Sequence, residues 1–324
     1  MFKVAITDYT FDSLDVEHTI LQAAKCEIVS GQCQTPEALI SLVAQADAVI
    51  TQFAPVNAEV ITAMESAKVI VRYGIGVDNV DLDAAANKGI PVCNVPDYCI
   101  DEVADQTLAY ILCTTRQIIR NAQHVRDNNW GLATSLDEMK TLRDLTIGCV
   151  GFGRIGQEVL QRLTPFKCRC LVLDPFVDEE TIQQAGGEPV TLETLLAESD
   201  VITLHCPSTS DTRRMLDADS LRRLKHGAII VNVARGDLIE TDALVDALQS
   251  GQVAAAALDV CDPEPIPLDS SLRSLPNVIA TSHIASASLP AVTVLRETAA
   301  RIAVTAVHGE SLPNVVNGVA GAEA

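Results

Sequence analysis

Positive charge is what this sequence lacks most. Its 324 residues carry 23 Lys and Arg against 43 Asp and Glu, a formal net charge of −20 at pH 7. A surface of that sign repels phosphate backbones and anionic lipid heads, so neither nucleic acid nor a membrane is expected as a partner. Long apolar runs are missing as well. The opening MFKVAITDYT turns polar at Asp8 and no stretch approaches the length that crosses a bilayer, so the protein is expected in the cytoplasm. There is no C-x-x-C pair. Ten cysteines are scattered, mostly inside apolar runs such as LAYILCTT (Cys113) and TIGCVGFG (Cys149), which suits small core residues of a reduced protein. Cys168 and Cys170 place both thiols on one face of a strand, which is not a zinc-site spacing, and no metal is expected. Internal repeats of solenoid period are absent, and low-complexity sequence is confined to the closing GVAGAEA, which excludes a repeat array.

What is present is a chain 48% hydrophobic and 20% charged, a composition that folds, and a length that suits about two domains. Short β-branched runs (KVAIT, CEIVS, ADAVITQF, KVIVRYG, IPVCNV) alternate with segments of helical spacing such as TPEALISLVAQ. That alternation predicts a parallel α/β sheet. Near Asp101 a long amphipathic segment begins, with Val103, Leu108, Ile111, Leu112, Ile118 and Ile119 along one side and acids in its first turn. A domain boundary is expected just before it. A second alternating series runs from Leu145 to about Ile284, and the tail returns to a helix around VLRETAARIAVTAVHG.

The first chemistry lies in TIGCVGFGRIGQEVLQRL, where Gly151, Gly153 and Gly156 form G-x-G-x-x-G between a strand and a helix. Glycines there permit a tight turn and let a pyrophosphate approach the helix N-terminus, whose unpaired N–H groups favour an anion. The next strand, CRCLVLD, ends in Asp174. An acid at that place accepts hydrogen bonds from ribose hydroxyls and repels a 2′-phosphate, and Pro175 and Phe176 follow it with no arginine, so NAD is the expected cofactor. Downstream, DVITLHCP, AIIVNVARGD, AAAALDVCDPEP and NVIATSHIAS bring Arg235, Asp259, Glu264 and His283 to positions where strands of a doubly wound fold end. Reduction of a 2-oxo acid needs a cation for the carboxylate, a proton donor for the developing alkoxide, and a partner that tunes the donor. Arginine, histidine and glutamate supply those parts. His205, ending VITLH, is read as a hydrogen-bonding strand end near the cofactor, and Asp237 as an acid at a helix N-terminus.

Taken together, VRYGIGVDNVDLDAAANKGIPVCNVP, DEVADQTLAYIL, GFGRIGQ, NVARGDLIE, ALDVCDPEP and TSHIASAS resemble the D-2-hydroxyacid dehydrogenase family, including its 3-phosphoglycerate dehydrogenase and C-terminal-binding-protein branches. The resemblance implies that Arg235 binds the substrate carboxylate and keto oxygen, and that Glu264 pairs with His283, the acid and base. It implies a carboxylate cradle from the amides of Tyr73, Gly74 and Ile75. It adds Arg154, Ile155, Cys206, Pro207, Thr212, Val233, Ala234, Asp259 and Ser286 to the glycines and Asp174 as NAD contacts. The implied fold is two doubly wound parallel-sheet domains: a Rossmann NAD-binding domain, 100–287, inserted into a flavodoxin-like substrate domain, 1–99 and 288–324. A homodimer is implied too, with Trp130 near its interface. Departures are Ser282, where a proline is usual before the histidine, and Asp237, where a small residue is commoner. The implied activity is hydride transfer between NAD(H) and a small 2-oxo or D-2-hydroxy acid. D-3-phosphoglycerate dehydrogenase is an alternative, although Lys3, Lys25, Lys68, Arg72 and Lys88 are the only bases before residue 100. An NAD(H)-sensing corepressor-like protein is another, and that branch carries a tryptophan shortly after the histidine where HIASAS has none.

Overall fold

Apolar runs become strands buried on both faces here, which is why few of them alternate with polar residues. The computed structural model describes residues 1–319. The chain divides into two compact units, Met1–Cys99 with the segment from Ser288 onward, and Ile100–Ala287.

In the first unit, β1 (Phe2–Ile6), β2 (Cys26–Ser30), β3 (Ala48–Thr51), β4 (Ile70–Arg72) and β5 (Val92–Cys93) form one sheet in the order β2-β1-β3-β4-β5. Every pairing is parallel, and the order is that of a flavodoxin-like doubly wound sheet. Successive residues feed opposite cores. Val4 and Ile6 join the apolar cluster that includes Leu295, Ala299 and Ile302 of the helix Leu289–Val307, whereas Ala5 joins the one that includes Leu39 and Val60. Among the described residues of this unit, one charged residue is fully buried. Glu17 is fully buried, yet accepts from the Tyr73 hydroxyl at 2.9 Å and from Arg296 Nε at 2.9 Å and Nη2 at 2.6 Å, so its charge is paired.

The second unit holds β6 (Thr146–Val150), β7 (Arg169–Leu173), β8 (Glu188–Pro189), β9 (Val201–Leu204), β10 (Ala228–Asn232), β11 (Val253–Leu258) and β12 (Val278–Ala280). Their order is β12-β11-β10-β9-β6-β7-β8, again wholly parallel, and it reverses between β6 and β9. Ligands of such sheets lie beyond the carboxyl ends of the strands at that reversal. The amphipathic segment after Asp101 is not one helix. It forms Ile100–Thr115 and Ile118–Arg126, broken at Gln117, whose φ of 52° is left-handed. The break turns Ile118 and Ile119 out of the expected apolar side, and they are 48% and 50% exposed. Among the described residues, no helix is long and apolar enough to cross a membrane.

Candidate active site

The glycine loop follows β6 at the strand reversal. Gly151 has a φ of 94°, and a Cβ there would stand 2.6 Å from the Cys206 amide nitrogen, against the chain leaving β9. A Cβ on Gly156 would stand 2.2 Å from the Gly151 carbonyl oxygen, so strand and helix pack in backbone contact. At Gly153 a Cβ would meet nothing within 4 Å, so the approach to the helix Arg154–Leu163 is open. That helix has no side-chain cap, which leaves the Ile155 and Gly156 amides of its first turn available to an anion. These three roles are the ones a dinucleotide pyrophosphate requires, and the loop fits NAD.

Asp174 ends β7 and braces the loop. Its Oδ2 accepts from the Phe152 amide at 2.7 Å and its Oδ1 from the Phe176 amide at 2.9 Å. Each oxygen keeps lone-pair capacity for a ribose hydroxyl. Across the reversal, the His205 amide donates to the Val150 carbonyl at 2.7 Å. The His205 ring is half-buried as a residue, but its nitrogens are not: Nε2 meets Thr203 Oγ1 at 2.9 Å and Nδ1 is buried without a partner. Burial pushes its pKa down to about 3, so the ring is neutral. Cys206 is half-buried beside it, its thiol pushed up to about 11 by burial. The Thr212 hydroxyl donates to the Pro207 carbonyl at 2.6 Å and accepts from the Thr209 amide, so it closes the loop after β9. Asp237 holds that loop as well, accepting from Ser208 Oγ at 2.8 Å. It lies in the first turn of the short 3-10 helix Gly236–Leu238, as expected of an acid at a helix N-terminus, and also ties two loops together.

Buried Asn232 shapes the turn that carries Arg235. Its Oδ1 accepts from the Ala234 amide at 3.0 Å and its Nδ2 donates to the Arg235 carbonyl at 2.7 Å, which bridges Val233. Arg235 donates from Nη1 to the Ala234 carbonyl at 2.6 Å. Gly236 has no left-handed φ. A Cβ there would lie 2.0 Å from the Cys261 carbonyl carbon, so glycine is required for close approach to the Cys261–Asp262 backbone. The Arg235 turn is thereby pressed against the loop that bears Glu264.

Glu264 Oε1 and His283 Nδ1 are 2.8 Å apart, with side chains 39% and 32% exposed. Burial pushes the Glu264 carboxyl up. The His283 hydrogen bond and charge, the Cys261 backbone and the Arg235 charge outweigh it and hold Glu264 below the usual carboxylate range. His283 has a φ of 57°, unusual for a residue with a Cβ. Asp259 supports that backbone. Expected as an NAD contact, it is 1% exposed, and its carbonyl accepts from the His283 amide at 2.8 Å. Its Oδ1 accepts from the Ile284 amide at 2.9 Å and from the Thr281 hydroxyl, and its Oδ2 from the Ala285 amide at 2.8 Å. Through these bonds Asp259 positions His283. The Tyr110 hydroxyl bonds the Thr281 hydroxyl and extends this network. Ser286 follows in a half-buried turn.

The amides assigned to the first unit divide. That of Tyr73 donates to the Thr51 carbonyl at 2.8 Å and that of Gly74 to the Arg72 carbonyl at 2.9 Å. Tyr73 is a core residue, 1% exposed, and only the Ile75 amide lacks an acceptor among the described residues. Sequence reasoning missed Asn232, Thr281 and Tyr110. For Asn232 a signal existed, a lone amide ending an apolar strand just before the arginine.

Two doubly wound sheets, a glycine-rich turn fitted to a pyrophosphate and a carboxylate-paired histidine define a dinucleotide-binding α/β protein. Residues 108–285 match the family model described as D-isomer specific 2-hydroxyacid dehydrogenase, NAD binding domain, and the chain belongs to that family. It is 38% identical over 263 residues to a D-3-phosphoglycerate dehydrogenase of Archaeoglobus fulgidus, covering 81% of this chain and 49% of that one. The chain thus spans about half the length of that relative. It is 36% identical to a glyoxylate reductase of Korarchaeum cryptofilum, covering 86% of this chain and 85% of that one. Among solved structures, D-lactate dehydrogenase of Aquifex aeolicus in complex with NAD and lactic acid superposes with a TM-score of 0.86 at 28% identity, covering 95% of this chain and 96% of that one.

Proposed function

We propose that this protein is an NAD-dependent dehydrogenase that reduces a small 2-oxo acid of the glyoxylate, hydroxypyruvate or pyruvate type and oxidises the corresponding D-2-hydroxy acid. The 2.8 Å contact between Glu264 and His283 carries the reading. With Nδ1 held by a carboxylate that stays ionised, Nε2 of His283 gives a proton to the substrate oxygen in reduction and takes it in oxidation. Arg154, Ile155 and Asp174 would hold NAD at the glycine loop, where it would supply or accept the hydride. The Arg235 guanidinium offers two parallel N–H groups to the substrate carboxylate and stabilises charge growing on the keto oxygen. In the first unit, which we assign as the substrate domain, the Ile75 amide is the group that receives a carboxylate.

The same reading extends to assembly and place. The helix Ile118–Arg126 buries no residue in the single chain, and Ile118, Ile119, Val125, Trp130, Leu132 and Leu136 are exposed around it. Such an uncovered apolar face supports a homodimer. Ten free cysteines support the reducing cytoplasm. The test is NADH oxidation with glyoxylate, hydroxypyruvate, pyruvate and 3-phosphohydroxypyruvate. Turnover of one or more of the first three supports the proposal. Turnover of the phosphorylated acid alone moves the assignment to phosphoglycerate dehydrogenase, and tight NADH binding with all four inert moves it to an NAD(H)-binding protein.

A further inference from the structure

The sulfur atoms of Cys168 and Cys170 lie 3.8 Å apart, on one face at the start of β7. Neither takes part in the chemistry above, which gathers at the opposite ends of the strands. Cys168 is half-buried and Cys170 is buried. Cys168 precedes the first ladder bond of β7, from the Arg169 amide to the Leu145 carbonyl at 3.2 Å, and follows Lys167, whose φ is 63°. It can therefore move without breaking the sheet. We propose that Cys168 and Cys170 form a reversible oxidation site, at which a hydroperoxide converts the two thiols into an intrachain disulfide.

The two sulfurs are inequivalent. The hydrogen bond between the two thiols holds Cys168 below its ordinary range against the effect of burial, whereas that same bond and then burial push Cys170 up. Cys206 and Cys261, half-buried as Cys168 is, are pushed up to about 11, mainly by burial. Cys168, half-buried and outside the ladder, is the nucleophile, and the buried Cys170 is the resolving thiol. The Cys168 thiolate attacks one peroxide oxygen, an S–O bond forms as the O–O bond breaks, and the departing oxygen leaves as water or alcohol after taking a proton. The Cys170 sulfur then attacks the sulfenic sulfur, the S–S bond forms as the S–O bond breaks, and the Cys170 proton leaves with the hydroxyl as water. Two electrons pass from the thiol pair to the peroxide. Closure to a disulfide separation of about 2.05 Å asks for a shift of less than about 2 Å, within reach of a residue outside the ladder.

Limiting hydrogen peroxide is added to the NAD-loaded protein, the remaining thiols are alkylated after denaturation, and intact mass and tryptic peptides are read. Trypsin cuts after Lys167 and Arg169, so the disulfide announces itself as the dipeptide Cys168–Arg169 tethered to the peptide that starts at Cys170. The proposal expects loss of two of the ten alkylations, that tethered pair, and full recovery with dithiothreitol. Cys168→Ser should slow thiol loss by roughly tenfold, and Cys170→Ala should leave a dimedone-reactive sulfenic acid on Cys168. Oxidation located first at Cys33, Cys113, Cys206 or Cys261, or thiol loss at the wild-type rate in folded Cys168→Ser, would overturn it.

Discussion

Arg235 stands just past a strand whose five residues are all buried, and the Asn232 amide bridge fixes the turn that delivers it. The planar guanidinium is what the proposed chemistry uses, and a lysine ammonium at the same place offers one point charge. Arg235→Lys should lower kcat/KM for 2-oxo acid reduction by about 2 to 4 kcal/mol of transition-state stabilisation, with NADH affinity near wild type. Steady-state kinetics and NADH titration on the same preparation check this, and retained kcat/KM in the folded variant would refute it. Glu264 has its own signature. Its carboxyl is held below the usual range in the folded protein, so its contribution is present above the ordinary carboxylate pKa and is lost as pH falls through the folded value. At 39% exposure that contribution is small. The melting temperature of Glu264→Gln should thus lie slightly below wild type at pH 7, with the gap closing below about pH 4. Reduction should lose about 10-fold to 100-fold in kcat/KM at pH 7 in the same variant. Asp174→Asn keeps an acceptor for the Phe152 amide and removes the charge, so the preference for NAD over NADP should narrow by about tenfold in kcat/KM.

At the scale of elements, the site is a set of loops welded to one another, and most welds join residues far apart in sequence. Gly236 is the clearest case. Nothing in AIIVNVARGD itself requires it, and the reason is the Cys261–Asp262 backbone against which it lies. Gly236→Ala should destabilise the protein by about 2 to 4 kcal/mol and cost activity even in the folded fraction, because the Arg235 turn and the Glu264 loop must part. Thermal melting and active-site titration measure both effects, and a variant with wild-type stability would show that the loops can part freely. The same distance in sequence hid Asp259: its partners are at 281, 284 and 285, and only the folded strand ends reveal that it steadies His283. Glu264 and His283 were legible for the opposite reason, since each ends a strand-like segment with chemistry that requires the other. The break at Gln117 was not legible, because neither glycine nor proline marks it.

For the whole molecule, both sheets were readable because strands buried on two faces leave continuous apolar runs. Partnership of the apolar surface was less so, as Ile118 and Ile119 read as core residues and proved exposed. If that face joins two copies, Ile119→Lys with Trp130→Glu should shift the protein from dimer to monomer in light scattering at micromolar concentration, and an unchanged mass would exclude this face as the interface. Above every other claim stands the proton-carrying role of His283 in an NAD-dependent reduction. The most direct measurement is single-turnover NADH oxidation by wild type and His283→Ala, with the 2-oxo acid that wild type turns over and with NADH affinity determined alongside. The account predicts a chemical step slowed by about 10²-fold to 10⁴-fold with NADH affinity within a few-fold of wild type. A His283→Ala protein that reduces the acid at the wild-type rate would contradict it.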